Sequence, residues 1–430
     1  MSAGAHRGKQ RKERPKDGGE AADAGALSRM GYAQELVRAM GGFSSFALSF
    51  SIISVLTGII TTYDLAIGNG GPAALGLGWP LVSAGTLLVA LALGELASAF
   101  PTAGALYHWS ALLGGPGWGW FVAMMNLVGQ LAIIAAIDLG CAQNGVETAL
   151  PGLGRDAATV VVPCVFGCIV LSHGVINVVS VRLVAWLNDL SATVHVVGVV
   201  VLCAILLGVG RAHPFGFAFT TGFTTRTDGS YPLGFVNALL LGMWTFTGFD
   251  ASAHVSEETH DPARRAPWGI VSSVVVSAIA GYALVVSITL AIVDLPATAT
   301  AKFPALVVLR HAAGQGWGSA AMGLAVVAMW FCGLSAVTSA SRTLYAFSRD
   351  GGVPGSAQLR KVSPRWRTPH VAIAATCALP LVLGLVSAGL TEDQFLAVAS
   401  LATTALYVSY AVPILLGVVA RPARAGGAPP

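Results

Sequence analysis

Charge is what this 430-residue sequence has least of: Asp, Glu, Lys and Arg make up 10% of it, where a soluble domain carries about 25%. With 55% hydrophobic residues and a mean hydropathy of +0.72, that scarcity excludes a soluble globular fold and leaves a polytopic membrane protein. The short alternating segments of a membrane barrel are missing too, so the spans must be helices, which pair every backbone group within one segment. The six cysteines, Cys141, Cys164, Cys168, Cys203, Cys332 and Cys377, lie in or beside apolar runs. They read as small core residues and exclude a disulfide framework or a metal set. Spaced metal motifs, a nucleophile elbow and a phosphate loop are all lacking. An intramembrane enzyme, drawing acid and base groups from His173, His195, Asp138 and Asp250, is therefore the rival reading from a different class. Repeated selectivity elements, which a channel needs, are not found, and there is no soluble sensor domain.

What is present is hydrocarbon-compatible length. Apolar runs near the roughly 20 residues needed to cross a bilayer lie at 43–66, 79–100, 118–141, 158–179, 188–210, 233–256, 267–293, 317–344, 370–390 and 395–419. These are ten predicted spans. Basic residues gather in the N-terminal arm, at Arg182, at Arg264 and Arg265, from Arg342 to Arg367, and at Arg421 and Arg424. The intervening loops hold Arg155, Arg211, Arg226, Lys302 and Arg310. The positive-inside rule then places both termini in the cytoplasm. The arm HRGKQRKERPK lacks aromatic interleaving, so it reads as a disordered tail that fixes topology, with no nucleic acid as partner. No cleavable signal is expected before the first span.

The spans divide into two groups of five, and the first of each group is interrupted. SIISVLTGIITTYD places Thr57 and Gly58 in mid-span, and WTFTGFD places Thr247 and Gly248 at the matching depth of the sixth. Five is odd, so the second group enters the membrane from the opposite side and the halves form an inverted repeat. Glycine breaks at corresponding positions mark a transporter's substrate site. Free N–H groups at such a break suit a carboxylate, and free carbonyls suit an ammonium or a cation. Close helix packing is the competing use of the same glycines.

Four ordered motifs carry a family resemblance: LTGI at 56–59, GELASAFPTAGALYHWSA at 94–111, GFDASAHVSEETHDPARRAP at 248–267 and SASRTLYAFSRDGGVP at 339–354. With them the chain resembles the amino acid, polyamine and organocation transporter superfamily, in its amino acid and choline (GABA-type) permease branch. The resemblance implies an all-α, five-plus-five inverted-repeat, leucine-transporter-like fold with discontinuous helices 1 and 6. It implies a basic arm over 1–42, a first repeat over 43–210, an extracellular loop over 211–232, a second repeat over 233–419 and a cytoplasmic tail over 420–430. Members usually carry two further spans, whereas this sequence ends at RPARAGGAPP with the repeat core expected to be complete.

By the same resemblance, Thr57, Gly58 and Ile59 would meet a substrate carboxylate. Trp244 would stack over the ligand as a gate, and the carbonyls from Trp244 to Thr247, ahead of Gly248, would face its amine. An indole face suits a cation in any case. His195 aligns with a lysine of proton-coupled relatives, and two readings stay open: carrier of the coupling proton, or a neutral histidine bonded to a backbone carbonyl. Asp250 is a candidate for pH sensing or gating. Glu95 is a candidate gate or loop anchor facing a basic residue such as Arg342. Ser335 and Ser339 are the hydroxyls a sodium site would use, unless they bond their own helix. Gln130 shares a face with Asn126 and is a candidate cavity residue, and Asp138 is expected near the outer boundary. Glu257 and Glu258, with Asp261, Arg264 and Arg265, read as solvated charge and interface anchors with some ion pairing.

The expected function is a secondary active permease that moves an amino acid or related small amine by alternating access. It is not an enzyme and needs no cofactor beyond a coupling proton or sodium ion. A sodium-coupled or exchange-type transporter of choline or a polyamine is the alternative, and Thr57 favours a carboxylate-bearing substrate.

Overall fold

The computed structural model describes residues 17–225, 230–390 and 394–425. The basic stretch of the arm, Arg226 and the last five residues of the tail lie outside the described residues. The rest is helical: α1 (Asp17–Arg29), α2 (Gly42–Ile53), α3 (Val55–Gly76), α4 (Gly78–Ala99), α5 (Ala105–Gly114), α6 (Pro116–Ala149), α7 (Arg155–Val179) and α8 (Val181–Gly208) form the first part. The second part is α9 (Tyr231–Ala238), α10 (Leu240–Thr245), α11 (Ala251–His254), α12 (Pro262–Leu290), α13 (Leu295–Thr300), α14 (Pro304–Arg349), α15 (Ser356–Leu359), α16 (His370–Leu390) and α17 (Gln394–Ala425). Among the described residues the one β feature is an isolated parallel bridge between Met40 and Thr259.

Proline sits in the first turn of α6, α9, α12, α13 and α14, where its missing N–H has no intrahelical partner to lose. Nine helical segments among the described residues are long and apolar enough to cross a membrane. α6 is the central post, packed against α5, α7, α14, α16 and α17, while α12 lies against α2, α4 and α8. Around this core α4, α7, α8 and α17 turn out residues such as Leu88, Leu171, Val200 and Val419, all more than half exposed. An apolar rim of that extent is a lipid-facing surface.

The sixth expected span is not one of the nine. It is divided into α9, α10 and α11, with a non-helical turn over 246–250. Gly248 there has φ +82°, and a Cβ would fall on the Ile52 side chain, so the position requires glycine for both conformation and space. In the first span the break falls at Ser54, φ 36° and ψ 79°, rather than at Thr57 and Gly58. Gly58 is instead a packing residue, since a Cβ on it would lie 2.7 Å from the Thr245 Cα. It lets α3 and α10, the two segments beside the breaks, touch.

Two further expectations are corrected. The arm, expected to be disordered to residue 42, forms α1, and the segment after it buries Leu36 and Met40 against the bundle. Cys164 and Cys168 are exposed on α7 and are not core residues, because they share the outward face of that helix.

Replacing Gly58 by Ala should cost about 1–3 kcal/mol, the range for overpacking a filled core, and lower the thermal midpoint in detergent. Gly85→Ala, where nothing lies within 4 Å of the new methyl, should leave it in place. Equal midpoints for the two variants would show that the α3–α10 contact is not tight.

Candidate functional site

The first break is held by side chains from three helices. Ser54 Oγ accepts the Thr57 N–H at 3.2 Å and lies 2.5 Å from Thr57 Oγ1, while the Gly58 N–H donates to the Ser54 carbonyl. From α8, His195 Nδ1 is 2.8 Å from the Ser191 carbonyl and Nε2 is 2.6 Å from Ser54 Oγ. A carbonyl only accepts, so Nδ1 carries a hydrogen, and in the neutral ring Nε2 accepts the Ser54 hydroxyl proton. From α14, the Cys332 thiol donates to the Ile52 carbonyl at 3.1 Å. The amides of Thr57 and Gly58, expected to be free, are thus capped within the break itself.

The second break is arranged around Asp250. The Gly248 N–H donates to Tyr410 Oη at 3.1 Å, and that hydroxyl donates to Asp250 Oδ1 at 2.8 Å. Asp250 Oδ2 faces His254 Nε2 at 3.0 Å and accepts from Asn126 at 3.4 Å. Asn126 leads to Gln130 at 2.5 Å, and Gln130 in turn accepts from Ser339 at 2.9 Å and donates to Thr343 at 3.0 Å. The Trp244 carbonyl is already taken by the N–H and hydroxyl of Thr247.

Ile52, Gln130, Ile133, Gly248, Asp250 and Ser339 enclose a cavity of about 10 Å³ between the breaks, room for a single water at most. A larger cavity of about 460 Å³ lies over Thr61, Asp64, Asn144, Lys302 and Phe395, within the range of small-ligand sites. Trp244 is buried behind Phe395, edge to face with ring centroids 5.7 Å apart. Phe395 forms part of the wall of this vestibule, and Trp244 packs against it.

The other end of the bundle is shut. Trp120, near the start of α6, bonds the Gly352 carbonyl there, whereas Asn144, near the end of α6, lines the vestibule. Glu257 and Glu258, expected to be solvated, are buried. Arg349 grips Glu257 with two bonds of 2.9 Å, and Arg342 meets Glu258 at 3.1 Å. The Arg349–Glu257 pair is bidentate, the geometry that best offsets burial, whereas in the Arg342–Glu258 pair Glu258 Oε2 is left without a hydrogen-bonding partner in the protein. The segment over 30–41 straps this end: the Ala39 and Met40 amides donate to the Glu258 carbonyl, and Tyr32 lies 4.0 Å under the Arg349 guanidinium. Tyr32 and Tyr107 both donate to Asp350, and His108 Nδ1 is 3.3 Å from the Tyr32 hydroxyl.

Of the candidates, Gln130, Gly248, Asp250 and Ser339 meet at the small cavity, and Thr57 is linked to His195 through Ser54 at the first break. Ser335 lies elsewhere on α14, donating to Asn188 at 2.7 Å. Glu95 is exposed beside a groove with Leu113 and Pro413, and Arg342 pairs with Glu258 in its place. Asp138, expected near a boundary, is fully buried against His173. Sequence reasoning missed Ser54, Tyr410 and Cys332. Nothing in their local sequence sets them apart from ordinary residues of an apolar helix, because their partners are remote in the chain.

A family profile described as amino acid permease matches residues 40–426. The amino-acid permease BAT1 of Arabidopsis thaliana is 37% identical over 91% of this chain and 80% of its own length. Its homolog in Oryza sativa is 36% identical over 91% of this chain and 79% of itself. The GABA-specific permease of Saccharomyces cerevisiae is 30% identical over 84% of this chain and 65% of itself.

Burial, which outweighs the attraction of Asp350, holds His108 below its ordinary value of 6.5. A released imidazole binds a proton more readily than the docked one, so the strap is favoured above about pH 6.5 and loosens as pH falls through that value. Trypsin cleavage after Arg38 should therefore run several-fold faster in the wild type than in His108→Gln at about pH 5.5, with equal rates at about pH 8. Equal rates at both would remove His108 from the strap.

Proposed function

This chain belongs to the amino acid permease family, and we propose that it is a proton-coupled permease of the plasma membrane working by alternating access between the two helix breaks. Membership makes it a multi-pass membrane transporter of amino acids and not an enzyme. The observation that carries the mechanism is the meeting of both breaks around one buried polar cavity, with a wide vestibule on one side and ion pairs on the other. The basic loops support a cytoplasmic ion-paired end and an outward vestibule. On this reading the repeats are inverted, and a substrate passes Trp244 and Phe395 and sets its carboxylate against the Thr57 hydroxyl at the start of α3, with Ser54 left between Thr57 and His195. Its amine then faces Asp250 and the end of α10.

Coupling follows from hydrogen-bond direction. With His195 neutral, Ser54 donates to Nε2, and Thr57 must donate to Ser54. With His195 protonated, Nε2–H donates to Ser54, Ser54 turns its hydroxyl toward Thr57, and the Thr57 hydroxyl hydrogen is released for a carboxylate. Proton and substrate then each raise the other's affinity. Ser335 and Ser339, the hydroxyls a sodium-driven cycle would recruit, are engaged by Asn188 and Gln130, which supports the proton.

Reconstituted vesicles given α-amino acids, γ-aminobutyrate, choline and a polyamine should show saturable, proton-driven uptake of a carboxylate-bearing substrate. Thr57→Val should raise the half-saturating concentration about tenfold, the loss of one hydrogen bond to a charged group. His195→Gln should keep exchange between equal pools and lose proton-driven accumulation. Sodium-driven uptake, or choline in preference to every amino acid, would overturn the proposal.

A further inference from the structure

The bundle holds a second pair of ionisable side chains, outside the substrate cavity and unused by the mechanism above. Asp138 on α6 and His173 on α7 are both fully buried, with His173 Nδ1 3.2 Å from Asp138 Oδ2. Each also keeps one buried atom, Asp138 Oδ1 and His173 Nε2, without a hydrogen-bonding partner in the protein. α14 faces them with Gly333, where a Cβ would fall on Asp138 Oδ1 and lie 2.7 Å from His173 Cε1. Trp330, nearly one turn earlier, packs its ring 5.1 Å from that of His173.

Among the described residues, the thiols of Cys141 on α6, Cys332 on α14 and Cys377 on α16 lie within electrostatic reach of Asp138. Arg342 on α14 approaches only through Asn177, which accepts from it at 3.2 Å and donates to the His173 carbonyl at 3.0 Å. Glu258 stands behind Arg342. The pair thus balances its own charge. Holding one exchangeable proton it is net neutral, as carboxylate with imidazolium or as carboxyl with imidazole. Without that proton an ionised carboxylate is left in an apolar interior, a state membrane segments retain only for a relay or pathway.

Adjacent residues of α14 join this pair to the first break. Gly333 closes over Asp138 and His173, while Cys332 donates to the Ile52 carbonyl at the end of α2. We propose that Asp138 and His173 form a proton-binding site of the transport cycle, linked to the first helix break through Cys332 and Gly333. The proton comes from solvent and is held while α14 is packed on α6 and α7. Its release needs water at Oδ1 and Nε2, so release accompanies separation of α14 from those helices.

This inference rests on the proton-coupled reading above, and its test separates the two. Infrared difference spectra of the purified protein between about pH 5 and about pH 9, a range spanning imidazole titration, require no transport. A titrating carboxyl or imidazole band should be present in the wild type, absent in Asp138→Asn and shifted in His173→Gln. In vesicles both variants should accumulate substrate about tenfold less under a proton gradient, with a flattened pH profile, while exchange at equal pH stays within about twofold of wild type. Spectra with no band that either substitution alters would overturn the site, whatever the uptake assay gives. An unchanged pH profile in both variants would reduce the pair to a structural contact.

Discussion

A helix that stops in an apolar interior leaves N–H and carbonyl groups that nothing in hydrocarbon can satisfy, and this structure is organised around two such interruptions. Each unmet group costs several kcal/mol at that depth. The first break is met by Ser54 with His195 and Cys332, the second by Tyr410 and Asp250. The helpers come from α8, α14 and α17, so the breaks fix the positions of three helices that do not themselves bend there. Their groups are also the ones a zwitterionic ligand would have to replace. At the first break, hydroxyls and a neutral imidazole can give those bonds up to a substrate without stranding a charge, whereas at the second the Asp250 carboxyl needs a donor from the ligand in return.

The two ends of the bundle use different physics for closure. At the vestibule end the contact is aromatic, Trp244 against Phe395, and turning such rings about χ angles carries little electrostatic consequence. At the arm end the barrier is two buried ion pairs and the strap from residues 30–41. The contrast explains why the vestibule is the roomy side in this closed state.

Hydropathy identified the helical class because it sums over about twenty residues, and single errors cancel. The sixth span was legible as a break since Gly248 sits in an otherwise apolar run. The first break was placed three to four residues late, at Thr57 and Gly58, because Gly58 looks like a breaker while Ser54, whose left-handed conformation is stabilised by its own cap on Thr57, does not. Gln130 could be read from its spacing to Asn126 on one helix face. Tyr410, Cys332 and the burial of Glu257 and Glu258 could not. A glutamate's burial is decided by whether an arginine some ninety positions later folds opposite it, and no local window contains that pairing. Glu95 shows the converse, a motif residue whose sequence setting suggests a partner that the fold gives to Glu258.

Opening the arm end requires that Glu257–Arg349 and Glu258–Arg342 come apart. Breaking a buried pair while it stays buried costs about 3–5 kcal/mol, and a substrate bound equally well in both states contributes nothing toward that. The movement must therefore hydrate the charges as it separates them, since a solvent-exposed pair is worth about 1 kcal/mol or less. The strap suits this requirement. Peeling residues 30–41 away takes the Tyr32 ring off the Arg349 guanidinium before α14 itself has to move. Water then reaches Glu257 first, and Glu258, held deeper by Arg342, second. Opening in this order is stepwise, which divides the barrier into smaller ones while the total cost of separating both pairs, and so the differential affinity that must meet it, stays the same.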